Sequence, residues 1–415
     1  MKKHIIIIGA GFAGLTAALK LYERDYKVTV LEARQRVGGR VWSTRLSNGE
    51  IAELGGEWIN VKDRHALGMI DRLGLFKAGV GVNFLQRKVI VGAPVSIAEQ
   101  AASLELAAKS LASMSEDDIA TRTIGEFINQ LPLSAPQKKY FYSRLQISYG
   151  INLNQVALRM MEVYTPAQRT SIDEDGSYFR VASGNMSVAQ TIADLLEDVR
   201  LGYEVRLVEN TEQGVIVQGR SPDGSFQLDL DGVVIAVPIK ILAEMEFNPP
   251  LPVPIKDAIA SVSMGTAAKI ALATRRRPSL RAYHDTETPY WCWTGKGRSG
   301  KVRKVLTAFC GSLQPQKKLA TNLNNPTIWL EELKSANPDL KFEGEPVMVD
   351  WSGDKWARGC YSAFSNQATD NIPLLTKSAG SIFFAGEHTA YRSATMDGAI
   401  ESGLRAANQV IEELQ

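Results

Sequence analysis

The chain has 415 residues, of which 45% are hydrophobic and 22% charged, an ordinary balance for a globular protein with room for two or three cores. Its 47 basic and 45 acidic residues give a net charge of +2, so nothing favours nucleic acid or an anionic membrane as a partner. Three cysteines make no disulfide framework and favour a reducing, cytoplasmic setting. No apolar run is long enough for a membrane anchor. The four histidines do not have the spacing of metal ligands. The composition does not decide the oligomeric state, and an oligomer is possible.

The first thirty residues predict a strand, a helix and a second strand. Residues 4–9 form a β-branched run that ends in glycine, and residues 12–24 place apolar side chains on one helical face. Residues 28–31 predict the second strand. This order is typical of a βαβ unit with parallel strands.

A glycine-rich motif joins the first strand to the helix. Gly9, Gly11 and Gly14 form a G-x-G-x-x-G pattern, in which the first glycine permits a tight turn and the second lets a pyrophosphate approach the backbone. The third glycine lets the helix pack closely on the strand, and the helix N-terminus offers free N–H groups to phosphate. Glu32 ends the second strand 18 residues after Gly14, where it can accept hydrogen bonds from a ribose. The motif predicts dinucleotide binding without choosing between NAD and FAD.

The rest of the chain predicts an interrupted nucleotide-binding fold. A helical block begins near residue 95, and residues 123–126 have the form of a capping box. Other helices are predicted at 96–114, 136–147 and 398–414, and strands at 203–208, 214–217, 226–230, 233–237, 266–272, 302–309 and 382–385. The fold class is therefore α/β, with a Rossmann-like FAD-binding domain split in sequence and a substrate domain of mixed sheet with a helical insertion. Its predicted parts are 1–80, 176–262 and 346–415 for the FAD-binding domain, 81–175 for the helical insertion and 263–345 for the substrate-domain sheet.

Three further strings narrow the type of dinucleotide. Residues 32–40 read EARQRVGGR and close with a glycine pair and an arginine, and residues 53–59 read ELGGEWI. Residues 383–389 read FFAGEHT and precede MDGAIESG at 396–403, where small residues let a helix approach its neighbours and direct its positive end to a ligand. Together these strings resemble the flavin amine oxidase family, whose best-known members are the monoamine oxidases.

The resemblance implies FAD as the cofactor. It implies that Glu32 binds the adenosine ribose, that Arg40 lies beside the pyrophosphate, that Glu387 binds the ribityl chain and that the backbone near Met396 meets the flavin pyrimidine. Glu53 stands where the family more often has Asp. The residues expected to bind FAD are Gly9, Gly11, Ala13, Gly14, Glu32, Ala33, Arg34, Gly39, Arg40, Gly56, Glu57, Trp58, Val205, Trp351, Cys360, Gly386, Glu387, Met396 and Ala399.

Lys269 is the first candidate for the chemistry. Residues 262–270 resemble the family segment that carries a lysine near the flavin N5, linked to it through a water and implicated in reoxidation by oxygen. The lysine lies in an otherwise apolar strand pattern, so its burial requires a polar partner.

Cys360 and Tyr361 form the second candidate. In the monoamine oxidases the residue at the position of Cys360 is joined to the flavin by a thioether, whereas many relatives bind FAD without a covalent link, so both forms of attachment stay open. Tyr361 matches one wall of the family's aromatic cage. The second wall falls at Thr395, which cannot supply a ring, so that Trp356 or another aromatic is needed and a simple aryl-alkyl monoamine is in doubt.

The resemblance implies oxidation of a primary or secondary amine to an imine by hydride transfer to flavin N5, with oxygen reduced to hydrogen peroxide. Two alternatives stay open, an L-amino-acid oxidase and a flavin dehydrogenase or desaturase that uses another acceptor. An amino-acid oxidase needs a cationic clamp for the carboxylate, for which Arg144, Arg159 and Arg180 are available. A binding protein like the inhibitors of nucleotide dissociation from small GTPases is a third reading, against which Lys269 and Cys360 argue.

Overall fold

The computed structural model describes residues 2–84, 86–161, 178–320 and 326–414. Residue 85 and residues 162–175 of the predicted helical insertion lie outside the described residues, as do residues 176 and 177 of the segment predicted to follow it.

The described strands are short and numerous. In chain order they are β1 His4–Ile8, β2 Lys27–Glu32, β3 Ser43–Arg45, β4 Ile51–Glu53, β5 Ile59–Asn60, β6 Lys77–Gly79, β7 Lys88–Val91, β8 Tyr178–Val181, β9 Val199–Leu201, β10 Glu204–Thr211, β11 Gly214–Ser221, β12 Gly224–Leu230, β13 Gly232–Ile235, β14 Glu246–Asn248, β15 Ser263–Met264, β16 Ala267–Thr274, β17 Ala282–Asp285, β18 Tyr290–Trp293, β19 Val305–Gly311, β20 Phe342–Asp350, β21 Ser362–Ala363 and β22 Ile382–Phe384.

The described α-helices are α1 Phe12–Tyr22, α2 Arg64–Arg72, α3 Ile97–Ala112, α4 Glu116–Thr121, α5 Ile124–Gln130, α6 Ala135–Tyr149, α7 Met186–Leu195, α8 Ile239–Leu242, α9 Val253–Ser261, α10 Leu313–Leu319, α11 Thr327–Ala336, α12 Asn366–Asp370 and α13 Met396–Glu413. Short 3-10 turns lie at Leu153–Gln155, Leu158–Met160, Ile372–Thr376 and Glu387–Thr389. None of the helices described combines the length and apolar character needed to cross a bilayer.

A five-stranded sheet of parallel strands carries the nucleotide motif. Its order is β22-β13-β1-β2-β9, so it collects strands from the start, the middle and the end of the chain. Alternate residues of β1 face opposite layers: Ile5 and Ile7 pack toward α1 and α13, whereas Ile6 and Ile8 pack toward the sheet β12-β11-β10-β14. The result is three layers, with helices on one side of the parallel sheet and a second sheet on the other.

A six-stranded sheet forms the second large layer. Its order is β20-β16-β19-β18-β17-β7, antiparallel except for the parallel pair β17 and β7. In β16, Ala268, Ile270 and Leu272 pack on one face into a core with Trp329 of α11. Side chains alternate between the two faces of a strand, so Lys269 lies on the face opposite to α11.

The helical insertion is present as α3 to α6, and Thr123 with Glu126 forms the predicted capping box at the start of α5. Two features of the predicted division need adjustment. Strand β7 lies inside the segment predicted to be helical yet pairs with β17, and β20 runs without a break across the predicted boundary between 345 and 346. The five-part division otherwise stays a prediction. The last helix also begins at Met396 rather than Gly398, because the Thr395 hydroxyl caps it and accepts from the Gly398 amide at 2.9 Å.

Candidate active site

A long cavity of about 390 Å³ extends from the glycine loop before α1 to the face of the six-stranded sheet that bears Lys269. We call its two ends the nucleotide end, at Gly11 and Glu32, and the lysine end, at Lys269. Every residue predicted for cofactor binding or catalysis lines this cavity except Gly14, and Trp356 lines it too. Sequence positions from 9 to 399 therefore converge on one site.

The glycine loop has the geometry that each glycine requires. A Cβ on Gly14 would lie 1.9 Å from the Gly9 carbonyl oxygen, so Gly14 faces the strand, and this is why it does not line the cavity. A Cβ on Gly11 would meet no described atom within 4 Å beyond those of its chain neighbours. Gly11 is the N-cap residue of α1, where free backbone N–H groups can bind phosphate oxygens. The loop therefore fits the pyrophosphate of a dinucleotide.

Glu32 is held at the end of β2 by backbone donors. Its carboxylate accepts from the Ala10 amide at 2.8 Å and from the Arg34 amide at 2.9 Å, and burial raises the pKa of this carboxyl above its ordinary value. A carboxylate oxygen has two lone pairs, so each oxygen retains an acceptor position for a ribose hydroxyl. The Arg34 guanidinium instead forms a two-point ion pair with Asp354, at 2.7 and 2.6 Å.

Arg40 and Glu387 form an ion pair of 2.8 Å in the wall of the cavity. The same carboxylate accepts from the backbone amide and hydroxyl of Ser362 and from the Ala394 amide. Although burial opposes it, Arg40 and His388 hold the pKa of Glu387 below its ordinary value, so the group stays ionised. Protein donors thus occupy both oxygens of Glu387 and fix Arg40 beside the cavity.

Lys269 has the polar partner that its burial requires. Its Nζ donates to Glu57 Oε2 at 2.7 Å and to the Gly55 carbonyl at 3.2 Å, and Arg180 binds the other oxygen of Glu57 at 2.9 Å. Although burial opposes it, Lys269 and Arg180 hold the pKa of Glu57 below its ordinary value. An ammonium has three donors, so one N–H of Lys269 remains for a group in the cavity. Glu57 was expected beside the cofactor, and its carboxylate forms ion pairs with Lys269 and Arg180.

Tyr361 and Thr395 both line the cavity but differ in what their hydroxyls do. The Tyr361 hydroxyl donates to the Ser148 carbonyl, which fixes the ring against α6. The Thr395 hydroxyl donates to the Arg392 carbonyl at 2.8 Å while it caps α13. Its hydrogen-bonding capacity is therefore used within the backbone of its own segment, and it supplies no wall of a cage.

Cys360 is buried beside Tyr361 and lines the cavity. Its Sγ packs against two glycines, because a Cβ on Gly150 or on Gly265 would come within 2.8 or 3.0 Å of the sulfur. Burial raises the pKa of the thiol to about 12. The group is therefore a neutral thiol at pH 7, the less nucleophilic form.

An aromatic wall is the part of the cavity that the sequence did not reveal. Trp291 and Trp293 stack with ring centroids 4.1 Å apart, and Trp58 and Phe84 pack against Trp291 at 5.4 and 5.3 Å. Arg87 lies over the Trp291 ring at 3.9 Å and also lines the cavity. The alternation of the two tryptophans in one strand was a signal for a shared face, but Arg87 had none. The described residues contain no group of three potential metal ligands.

The fold and the cavity define a dinucleotide-binding protein with three layers and a separate sheet that closes the far end of the site. The profile of the flavin-containing amine oxidoreductases matches residues 12–411, nearly the whole chain, so the chain belongs to this family of flavin enzymes.

The relatives have diverged far in sequence. A nicotine dehydrogenase of Pseudomonas putida is 24% identical over 98% of this chain and 88% of that protein, and flavin-containing amine oxidase B of Mus musculus is 23% identical over 100% and 87%. The solved structure of cyclohexylamine oxidase from Brevibacterium oxydans matches all of both chains with a TM-score of 0.82 at 22% identity, which establishes the shared fold.

Proposed function

We propose that this enzyme oxidises the carbon–nitrogen bond of a small primary or secondary amine to an imine, with FAD as cofactor and oxygen as electron acceptor. The observation that carries the proposal is Lys269, a buried ammonium at the far end of a dinucleotide cavity whose described hydrogen bonds use two of its three N–H donors. Bound FAD supplies the two-electron chemistry, accepting a hydride equivalent from the carbon beside nitrogen and passing the electrons to oxygen as hydrogen peroxide.

The nucleotide end binds the cofactor through backbone and one carboxylate. Gly11 and the N-terminus of α1 receive the pyrophosphate, Glu32 accepts from the ribose, and Arg40 adds a positive charge held in place by Glu387. Ala33 and Val205 line the cavity and supply packing surface. Gly56, Trp351, Met396 and Ala399 line it as well.

Lys269 acts on the oxygen half of the reaction. Its remaining N–H holds a water or the incoming oxygen beside the cofactor, and its charge stabilises negative charge that develops there. Glu57 and Arg180 are positioning residues, since they fix the ammonium in one orientation.

The aromatic side chains serve the amine half of the reaction. Tyr361 supplies one face for the substrate, while Trp293 and Phe309 supply the ring surface that Thr395 cannot. These rings exclude water and favour the neutral amine, which is the form that can be oxidised.

We further propose that FAD is held without a covalent bond. Two observations support this proposal: the Cys360 sulfur packs against Gly150 and Gly265, and the pKa of its thiol is raised to about 12. A thioether requires the sulfur as a nucleophile, and the neutral thiol is a poor one.

The test of the proposed function uses the purified holoenzyme. We expect flavin absorbance, bleaching of that absorbance when an amine is added without oxygen, and its return together with hydrogen peroxide when oxygen is admitted. If the purified protein neither carries nor binds FAD, the proposed function is wrong, because every step of it requires the cofactor. Reduction by an amine followed by reoxidation only with an artificial acceptor would replace the oxidase by a dehydrogenase.

A further inference from the structure

One row of side chains crosses the floor of the cavity. Lys269 of β16 pairs with Phe309 of β19, Phe309 pairs with Trp291 of β18, and Trp291 pairs with His284 of β17. Directly paired residues lie on the same face of a sheet, and neighbouring strands are about 4.8 Å apart. Trp291 therefore stands two strands, or roughly 10 Å, from Lys269.

A buried arginine lies at the far end of this row. Arg87 is 1% exposed, and its guanidinium covers Trp291 at 3.9 Å and Phe84 at 5.0 Å. Within the described parts of the chain, its Nε and Nη2 have no hydrogen-bond partner, and its Nη1 has only a long contact of 3.5 Å to His284 Nδ1. Burial and the neighbouring Arg144 lower the pKa of Arg87 to about 9, so the side chain is still a cation at pH 7.

Arg144 adds a second cation beside the first. It lies on α6 three and four residues before Ile147 and Ser148, which line the cavity, so all three share one helix face. It is buried, lies 5.8 Å from the Phe84 ring, and has no described partner for its Nε. Burial, Arg87 and Arg144 lower the pKa of His284 well below its ordinary value, so this imidazole is neutral. The charged or phenolic groups that act on Arg87 are Arg144 and two tyrosines, with no carboxylate among the described residues.

Among the described residues, Arg87 and Arg144 have no carboxylate partner, whereas Lys269 and Arg180 share Glu57. A buried cation without a counterion is costly to the fold. A guanidinium presents a planar fork of donors that matches a carboxylate. We propose that Arg87, supported by Arg144, binds a carboxylate of the amine substrate. This inference deepens the proposed function and rests on it.

The position of Arg87 also selects the kind of carboxylate. Because the guanidinium covers Trp291, roughly 10 Å along the floor from Lys269, the anion binds away from the carbon that is oxidised. The substrate class is therefore an ω-amino acid, whose amine and carboxylate are separated by a carbon chain, rather than an α-amino acid, which carries both on one carbon. Arg159 and Arg180, two of the arginines considered from the sequence, are paired with Asp370 and Glu57.

The binding experiment does not depend on turnover. Hexanoate is titrated into the holoenzyme while flavin absorbance and tryptophan fluorescence are followed, since Trp291 lies under the site. We expect saturable binding that weakens about 10- to 100-fold in Arg87→Met and less in Arg87→Lys, which keeps the charge. The matched control is Arg159→Met, which removes an arginine at the surface and should bind as the unmodified enzyme does. Equal hexanoate binding by Arg87→Met overturns the site.

The kinetic experiment compares three six-carbon amines, namely hexylamine, 6-aminohexanoate and its isomer norleucine. We expect kcat/KM for 6-aminohexanoate to exceed that for the other two by about 10-fold or more, and the preference over hexylamine to vanish in Arg87→Met. A preference for norleucine overturns the placement of the anion far from the oxidised carbon. If the enzyme oxidises hexylamine but does not bind hexanoate, the carboxylate site is wrong and the proposed function stands. If it binds hexanoate but oxidises none of the amines, the proposed function is wrong and the carboxylate site stands.

Discussion

Lys269 and Glu57 are 212 positions apart in sequence and form an ion pair of 2.7 Å whose side chains are 4% and 1% exposed. A strand of the six-stranded sheet supplies the lysine, and the loop after β4 supplies the acid. The ion pair therefore joins the loop after β4 to the six-stranded sheet at one end of the cavity.

Glu57→Gln should destabilise the folded protein by about 3–5 kcal/mol at pH 7, because Lys269 and Arg180 would stay buried without their counterion. The pKa of Glu57 is lowered in the folded protein, so its contribution is present above the ordinary value of 4.5 and is lost as pH falls through the lower folded value. Urea unfolding at pH 7 and at pH 3 measures both effects.

The matched control for that substitution is Glu105→Gln, which breaks an exposed pair with Lys109 and should change stability by less than about 1 kcal/mol. A Glu57→Gln protein as stable as the control at pH 7 contradicts the role given to the buried pair.

Lys269→Met should slow reoxidation of the reduced enzyme by oxygen about 100-fold, since the substitution removes the ammonium that faces the cavity. Reduction of the enzyme by substrate should change much less. Stopped-flow mixing of anaerobically reduced protein with oxygenated buffer separates the two steps. Lys109→Met, on the surface of α3, is the control, and an unchanged rate with oxygen in Lys269→Met removes the lysine from the mechanism.

Gly11→Ala should weaken FAD binding by about 10-fold or more while leaving the protein folded. Among the described residues, the added Cβ meets no atom within 4 Å beyond its chain neighbours, so we expect its effect to fall on the cofactor. Gly68→Ala in α2 is the control, because its Cβ also meets nothing and its φ is ordinary. Equilibrium dialysis gives the FAD affinity and thermal unfolding gives the stability. If Gly11→Ala binds FAD as tightly as Gly68→Ala does, the pyrophosphate does not pass Gly11.

Acid precipitation should release FAD from the unmodified enzyme, because the Cys360 thiol is packed between glycines and has a pKa of about 12. Absorbance of the supernatant and of the redissolved pellet measures the division of flavin between them. Flavin that stays with the pellet, and leaves it in Cys360→Ala, would establish a thioether instead.

Thr395→Ala should lower stability by about 1 kcal/mol, since the hydroxyl caps the N-terminus of α13. Thr395→Ser keeps the oxygen and should retain most of that stability. Both variants should oxidise substrate at nearly the rate of the unmodified enzyme. A large loss of activity in the serine variant would show that the methyl group shapes the substrate site.

The candidate site residues that could be predicted from the sequence are those whose role depends on their neighbours in the chain. Gly9, Gly11 and Gly14 lie within six residues, so their spacing alone defines a turn and a helix start. The family strings around Arg40 and Cys360 are local in the same sense. The need of Lys269 for a partner also followed from its apolar strand, although the identity of Glu57 did not.

The candidate site residues that could not be predicted are those brought together by strand pairing between distant segments. Arg87 reaches Trp291 only because β7 pairs with β17 and β17 pairs with β18, across about two hundred positions. Its own neighbourhood in the sequence is an ordinary basic residue before a short strand. The burial of Arg87 away from any described carboxylate, which makes it a candidate, exists only in three dimensions, and so does the use of Thr395 as a helix cap.

The order of strands in the parallel sheet has a consequence for synthesis of the protein. Strand β22 lies at the edge beside β13, and α13, the last helix, packs on α1. A nascent chain that has emerged only as far as residue 380 has the loop for the pyrophosphate but lacks the wall that Glu387 and Met396 form. If these residues bind FAD as proposed, we expect the cofactor to be captured only at the end of translation, and loss of β22 and α13 should abolish flavin binding even when residues 1–380 are intact.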